Sequence, residues 1–172
     1  MTALCFVDAN VFVYARDPRD PAKRLRARQW RDHLWRERSG RTSTQVLSET
    51  YTTLKRIGGA TQDEIWDSVA RLFAWKPLAI DEAVLQLARR IEQRYRISWW
   101  DCLVVAAAQI QDCELLLSED LQDGMAFGTV TVRSPFTLEV REAAAAYAAA
   151  PRPASLHRPR GRPRRAGAVL RP

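Results

Sequence analysis

The chain has 172 residues, of which 47% are hydrophobic, and it carries a formal net charge of +7. This composition is typical of a folded domain and excludes a disordered chain. No apolar run reaches the roughly 18 residues that span a bilayer, and no basic segment precedes an apolar one at the N-terminus. We therefore expect no membrane association, no signal peptide and a cytoplasmic protein.

Apolar residues alternate along the chain between the spacing of strands and the spacing of helices. In chain order, the expected elements are a strand over 4–8, helices over 11–15 and 22–38, a strand over 41–43, helices over 45–57 and from 61 towards the proline at 77, a strand over 78–80, helices over 81–95 and 98–111, strands over 114–117 and 129–132, and a helix end over 143–150. Five short strands separated by helices predict an α/β fold with three layers, α/β/α, around a parallel sheet.

Residues 151–172 differ from the rest of the chain. They contain five of the nine prolines, seven arginines and no acid. Too few apolar residues are present to offset the entropy of ordering, so we expect a disordered basic tail after a domain over residues 1–150.

The remaining charge is balanced overall but concentrated locally. Residues 1–150 hold 20 basic and 20 acidic residues, whereas residues 16–41 hold ten Lys or Arg and four Asp or Glu. A basic flank beside an acidic centre suits an enzyme that binds a polyanion next to a metal. For residues 22–38 alone, a solvated helix face is the simpler interpretation.

Four acids stand where a strand ends or a helix begins: Asp8, Glu49, Asp101 and Asp120. In an alternating strand–helix fold these positions share one edge of the sheet, so the four side chains are expected to converge. Converging carboxylates repel one another unless a cation lies between them. Asp101 begins an almost wholly apolar helix with no Lys or Arg nearby in sequence, which leaves its charge in need of a partner.

Each acid also has a purely structural interpretation. Asp8 can cap the helix that follows it, and Asp101 can complete a capping box with Ser98. Glu49 can be a surface residue, and Asp120 can begin a turn. These interpretations explain the acids singly but not their common placement.

We predict a Mg²⁺ site, with Mn²⁺ as the alternative ion, made by Asp8, Asp101 and Asp120. Glu49 is a further candidate ligand, and Asp123 competes with Asp120 because both follow the same strand. Mg²⁺ takes carboxylate oxygens, keeps several waters and completes its shell with substrate phosphate. The two histidines are isolated in sequence and the three cysteines lack C-x-x-C spacing, so a zinc site is disfavoured.

The predicted chemistry is hydrolysis of a phosphodiester by a metal-activated water. Asp8, Glu49, Asp101 and Asp120 are the candidate catalytic residues. Asn10 and Ser43 are expected to orient ligands or waters.

Four segments, 6–11, 43–49, 100–108 and 117–124, each carry one of these acids and resemble in order the four acidic motifs of PIN-domain ribonucleases. The similarity runs from about residue 4 to residue 138 and is greatest to the VapC-type toxins of bacterial toxin–antitoxin pairs. It implies a three-layer α/β/α fold and cleavage of RNA that depends on Mg²⁺ or Mn²⁺. It also implies metal-binding roles for the four acids, a homodimer and inhibition by a small antitoxin protein. Neither the particular RNA nor the number of metal ions follows from it.

The tail contains a second resemblance. Arg158, Arg160 and Arg162 lie in an Arg-Pro-Arg-Gly-Arg-Pro segment that is similar to the AT-hook, whose arginines enter a narrow minor groove. The alternative is an extension that binds any polyanion weakly. A non-catalytic nucleic-acid-binding protein acting through this tail is accordingly the rival to the nuclease.

Deletion of residues 151–172 tests the role of the tail. We expect weaker RNA binding and a smaller dependence of binding on salt, because seven arginines are removed, with cleavage positions unchanged. Binding at several salt concentrations and mapping of RNA ends measure the two effects. A shifted cleavage site would refute this role.

Overall fold

The computed structural model describes residues 3–140, which form a five-stranded sheet between layers of helices. The strands are β1 (Cys5–Val7), β2 (Gly40–Arg41), β3 (Leu115–Leu117), β4 (Ala126–Phe127) and β5 (Val130–Arg133). Their order in the sheet is β2-β1-β3-β5-β4. All neighbours run parallel except β4, which is antiparallel to β5. The expected helix end at 143–150 and the basic tail lie outside the described residues.

Six helices connect and cover these strands. They are α1 (Ala9–Tyr14), α2 (Pro21–Glu37), α3 (Thr44–Ile57), α4 (Gln62–Arg71), α5 (Glu82–Tyr95) and α6 (Trp99–Ile110), with a 3-10 turn at Leu72–Trp75 after α4. The helices from α2 onward each begin at a side chain that accepts a backbone N–H bond, namely Asp20, Ser43, Thr61, Asp81 and Ser98. Within the described part of the chain, no helix is long and apolar enough to cross a membrane.

The core lies on both faces of the sheet. Every residue of β1 and β3 is buried, as expected for central strands covered on two sides. Helix α6 is buried from Cys102 to Ala108, so the acid in its first turn lies at the edge of packed apolar material. The three-layer α/β/α prediction is therefore confirmed. The three cysteines are buried and unpaired, and burial raises the pKa of the Cys113 thiol to about 12.

Two strand assignments differ from the prediction. Residues 78–80 form no strand of the sheet; Leu78 makes a single parallel bridge to Ser43. Pro77 offers no backbone donor and Asp81 already caps α5, which leaves too short a segment for a ladder. The fifth strand is instead β4, which pairs with β5 in a hairpin whose turn is permitted by the positive φ of Gly128.

Strand β2 passes unusually close to the buried ring of Trp75. A Cβ atom at Gly40 would lie 2.6 Å from carbons of that ring, which is closer than packed atoms approach. The ring cannot withdraw easily, since it is buried and packs edge-on against Phe12 at 5.6 Å between centroids. Glycine is therefore required where β2 enters the sheet.

Substitution of Gly40→Ala should lower the free energy of unfolding by about 1–3 kcal/mol, because the added methyl overpacks the core. Urea unfolding of Gly40→Ala, Trp75→Leu and the double variant measures this. The double variant should be more stable than the sum of the single effects predicts. Strict additivity would contradict the proposed contact.

Candidate functional site

The fold brings the four predicted acids to one edge of the sheet. Asp8 directly follows β1, and Asp120 lies three residues after β3, the strand paired with β1. Asp101 is in the first turn of α6 and Glu49 is on α3. Burial, and after it repulsion from the other acids, raises the pKa values of Asp8 and Glu49. The four carboxyl groups therefore lie close enough to interact electrostatically.

Asp8 is the most buried member, with 5% of its surface exposed. Its Oδ1 accepts a hydrogen bond from the backbone N–H of Ala9 at 2.7 Å, and its Oδ2 accepts one from the Ser118 hydroxyl at 2.7 Å. Burial, together with a smaller effect of repulsion from Asp120 and Glu49, raises the pKa of Asp8 to about 7 against the lowering effect of those two bonds. The carboxyl thus exchanges its proton near neutral pH.

Asn10 links Asp120 to this buried group. Its Nδ2 donates to Asp120 Oδ2 at 3.1 Å and to the Ser118 hydroxyl at 3.4 Å. Its Oδ1 is buried and has no hydrogen-bond partner among the described residues. An acceptor atom in that state requires a donor or a cation.

Glu49 and Asp101 complete the group from the two flanking helices. Burial raises the pKa of Glu49, and repulsion from Asp120 and Asp101 adds to the effect. The Ser98 hydroxyl donates to Asp101 Oδ2 at 2.7 Å and accepts from the Asp101 N–H at 3.2 Å. The helix-capping interpretation of Asp101 is therefore partly realised, since one carboxylate oxygen is engaged by Ser98.

No ion pair within the described residues offsets the negative charge of these four acids. Within residues 3–140, none of the four forms a salt bridge with Lys, Arg or His. In the same range, no three His, Cys, Asp or Glu side chains stand close enough to hold a metal ion directly. A donor set of carboxylates and one unpartnered amide oxygen nevertheless fits a hard cation bound through one or two carboxylates and several waters, the usual mode of Mg²⁺.

Asp123 occupies a different position from Asp120. Its Oδ1 accepts from Arg133 Nε at 3.1 Å and from the Ser134 N–H at 2.7 Å, so it ties the end of β5 to the loop after β3. Of the two candidates for the fourth acid, the geometry favours Asp120.

Two serines at this edge of the sheet, Ser43 and Ser118, differ in their hydrogen bonds to the acids. Ser43 accepts from the Val46 N–H at 3.3 Å and begins the helix that carries Glu49, and within residues 3–140 its side chain has no hydrogen bond to the four acids. Ser118 is fully buried and contacts Asp8, Asn10 and the backbone N–H of Asp120, yet sequence reasoning did not single it out. The sequence feature that could have identified Ser118 is a hydroxyl side chain immediately after the wholly apolar strand β3.

The chain matches one known family of protein domains. The PIN domain family matches residues 5–122, more than half of the chain, and the chain belongs to that family. A comparison with curated proteins finds no match.

Among solved structures, the fold is similar to VapC20 of Mycobacterium tuberculosis, described as a toxin that cleaves the Sarcin-Ricin loop. The two are 18% identical, with a TM-score of 0.51 over 65% of this chain and 86% of the other. At that identity the likeness concerns the fold.

The raised pKa of Asp8 predicts a pH-dependent stability when metal is absent. The folded state keeps a proton on Asp8 up to about pH 7, whereas its ordinary pKa is 3.8, so stability falls as pH rises through that window. The substitution Asp8→Asn removes this titration. It should therefore raise the free energy of unfolding above pH 7 by up to about 4 kcal/mol, the equivalent of about three pKa units.

Urea unfolding in EDTA at several pH values measures this dependence, with the exposed Asp67→Asn as the control. The control should decline with pH like the parent protein. An equally steep decline in Asp8→Asn would contradict the assignment to Asp8.

Proposed function

We propose that this chain is a metal-dependent endoribonuclease and the toxin of a toxin–antitoxin pair, cleaving RNA with Asp8, Glu49, Asp101 and Asp120. The observation that carries the proposal is the convergence of these acids at one sheet edge, where no Lys, Arg or His within residues 3–140 forms a salt bridge with them. Carboxylates gathered in this way repel one another when ionised, and a cation between them removes that repulsion.

Each residue contributes a distinct step. A bound Mg²⁺, or Mn²⁺ in its place, would supply a water of lowered pKa and offset charge on the phosphate oxygens. Asp8 must lose its proton to serve as a ligand, and its bonds to Ala9 and Ser118 hold the ionised form in place. Asn10 fixes the carboxylate of Asp120.

Glu49 is suited to a different task from the aspartates. It is exposed and its pKa is raised, chiefly by burial, which makes it a better acceptor for the proton of an attacking water. Asp101, held by Ser98 at one oxygen, keeps its other oxygen for the cation or a bound water.

Substrate and partners follow from the family and the resemblance. RNA as substrate and a small antitoxin protein as partner are supported by the PIN domain match and by the fold shared with a toxin that acts on RNA. We further propose a homodimer, and a cytoplasmic location because the substrate is there. The structural similarity supports RNA as the class of substrate but does not identify a particular RNA.

Substitution of Asp101→Asn or Asp120→Asn should lower the rate of RNA cleavage at least about 100-fold, since each replaces a charged ligand with a neutral side chain of similar size. Asp123→Asn is the matched control and should retain most activity, because that side chain is bonded to Arg133 and Ser134. Purified protein incubated with total RNA, in Mg²⁺ or in EDTA, with mapping of cleaved ends, measures all three.

Cleavage that persists in EDTA would overturn the metal dependence. Full activity in Asp101→Asn would favour the rival, a nucleic-acid-binding protein that acts through its basic tail without catalysis.

A further inference from the structure

A cavity of about 740 Å³ opens between α1, α2, α3 and α4, and none of the four acids lines it. Five arginines do line it, and we call it the arginine cavity after Arg16, Arg24, Arg28, Arg31 and Arg71. Four of these arginines come from the basic segment 16–41, and Arg71 comes from α4.

The charge in the arginine cavity is poorly compensated. Asp32 is the sole carboxylate among its described lining residues, and it pairs with Arg31 at 2.8 Å. Arg24 Nε is buried and has no hydrogen-bond partner in the described part of the chain. A buried guanidinium N–H without an acceptor is costly, so the site lacks an anionic partner.

Two of the other guanidinium groups, those of Arg28 and Arg16, are held by neutral oxygens. Arg28 Nε donates to the carbonyl of Ala15 at 2.8 Å, and Arg16 donates to the Ser68 hydroxyl. Burial, together with repulsion from Arg24 and Arg31, lowers the pKa of Arg28. These contacts orient the arginines without neutralising them.

The arginine cavity is connected to the acid edge through α2. Lys23 Nζ contacts Glu119 at 2.6 Å, which places the start of α2 beside the loop that carries Asp120. From there Arg24, Arg28 and Arg31 follow one another at i, i+4 and i+7, along one face of the helix. Arg16 lies just beyond α1, about 12 Å along that helix from Asp8.

The exposed indole ring of Trp35 lies beside the arginines of this cavity. Trp35 lines the arginine cavity with 43% of its surface exposed. Exposed indoles are suitable platforms for unpaired bases, and stacking contributes about 1–3 kcal/mol per base. A phosphate site beside a stacking surface matches a nucleotide unit better than it matches a carboxylate side chain.

We propose that the arginine cavity binds a backbone phosphate of single-stranded RNA, with an adjacent base stacked on Trp35, and so holds the strand whose cleavage occurs at the acids. This inference rests on the proposed ribonuclease function and adds a substrate site to it. Guanidinium groups suit the task because their planar forks bind phosphate oxygens in pairs.

The test is binding of a fluorescently labelled 12-nucleotide RNA by the full chain in EDTA, where metal-dependent cleavage cannot interfere. The double variant Arg24→Gln/Arg28→Gln should bind at least about tenfold more weakly. Its slope of log affinity against log salt should become shallower by about 0.7 for each RNA phosphate that the variant no longer neutralises. The double variant Arg56→Gln/Arg90→Gln is the control. It removes the same charge from exposed helix positions that form no ion pair among the described residues and do not line the cavity.

A second variant, Trp35→Ala, should weaken binding without changing the salt slope, since it removes stacking and no charge. Circular dichroism verifies that each variant is folded. Competition with AMP and with a poly-glutamate peptide identifies the source of the anion.

Equal affinity and slope in the two double variants would overturn the proposal. So would displacement of the RNA by poly-glutamate at an equal concentration of charge, which would assign the cavity to an acidic protein segment, or tighter binding of AMP than of the RNA. Absence of cleavage in Mg²⁺ with this binding pattern intact would count against the nuclease function alone.

Discussion

The structure depends on one constraint, the burial of the Asp8 carboxyl at the end of the apolar strand β1. Burial there raises its pKa to about 7, and the nearby acids increase the effect instead of relieving it. The hydroxyl of Ser118 and the N–H of Ala9 hold the group without neutralising its charge. This environment suits the proposed metal site, in which a cation would replace the proton of Asp8.

The sheet topology makes this arrangement possible. Parallel pairing of β1 with β3 aligns their carboxyl ends, so that Asp8 and the Ser118–Asp120 loop meet across neighbouring strands. The apolar helix α6 adds Asp101 to the same edge because its first turn emerges there from the core. The free energy gained by burying the strands and α6 thus holds the carboxylates close together although they repel one another.

Local signals predicted much of the fold and the convergence of four acids at one edge of the sheet. The capping box of Thr61 and Glu64 and the cap at Asp81 fix helix starts through bonds within a few residues, so sequence alone was sufficient. Long-range contacts could not be predicted from local sequence in this way. The pairing of β4 with β5, the separation of Asp120 from Asp123 and the role of Ser118 all depend on residues brought together by folding. The arginine cavity is similar: composition showed the basic excess, but only the packing of α1 to α4 shows where the charge collects.

Proton release on metal binding tests the central claim most directly. Calorimetric titration of the protein with Mn²⁺ or Mg²⁺, in buffers of different ionisation enthalpy, gives the number of protons displaced per ion. Because the pKa of Asp8 is about 7, this account predicts release of about one proton at about pH 6 and almost none at about pH 9. Binding that releases no proton at about pH 6, or no saturable binding at either pH, would contradict it.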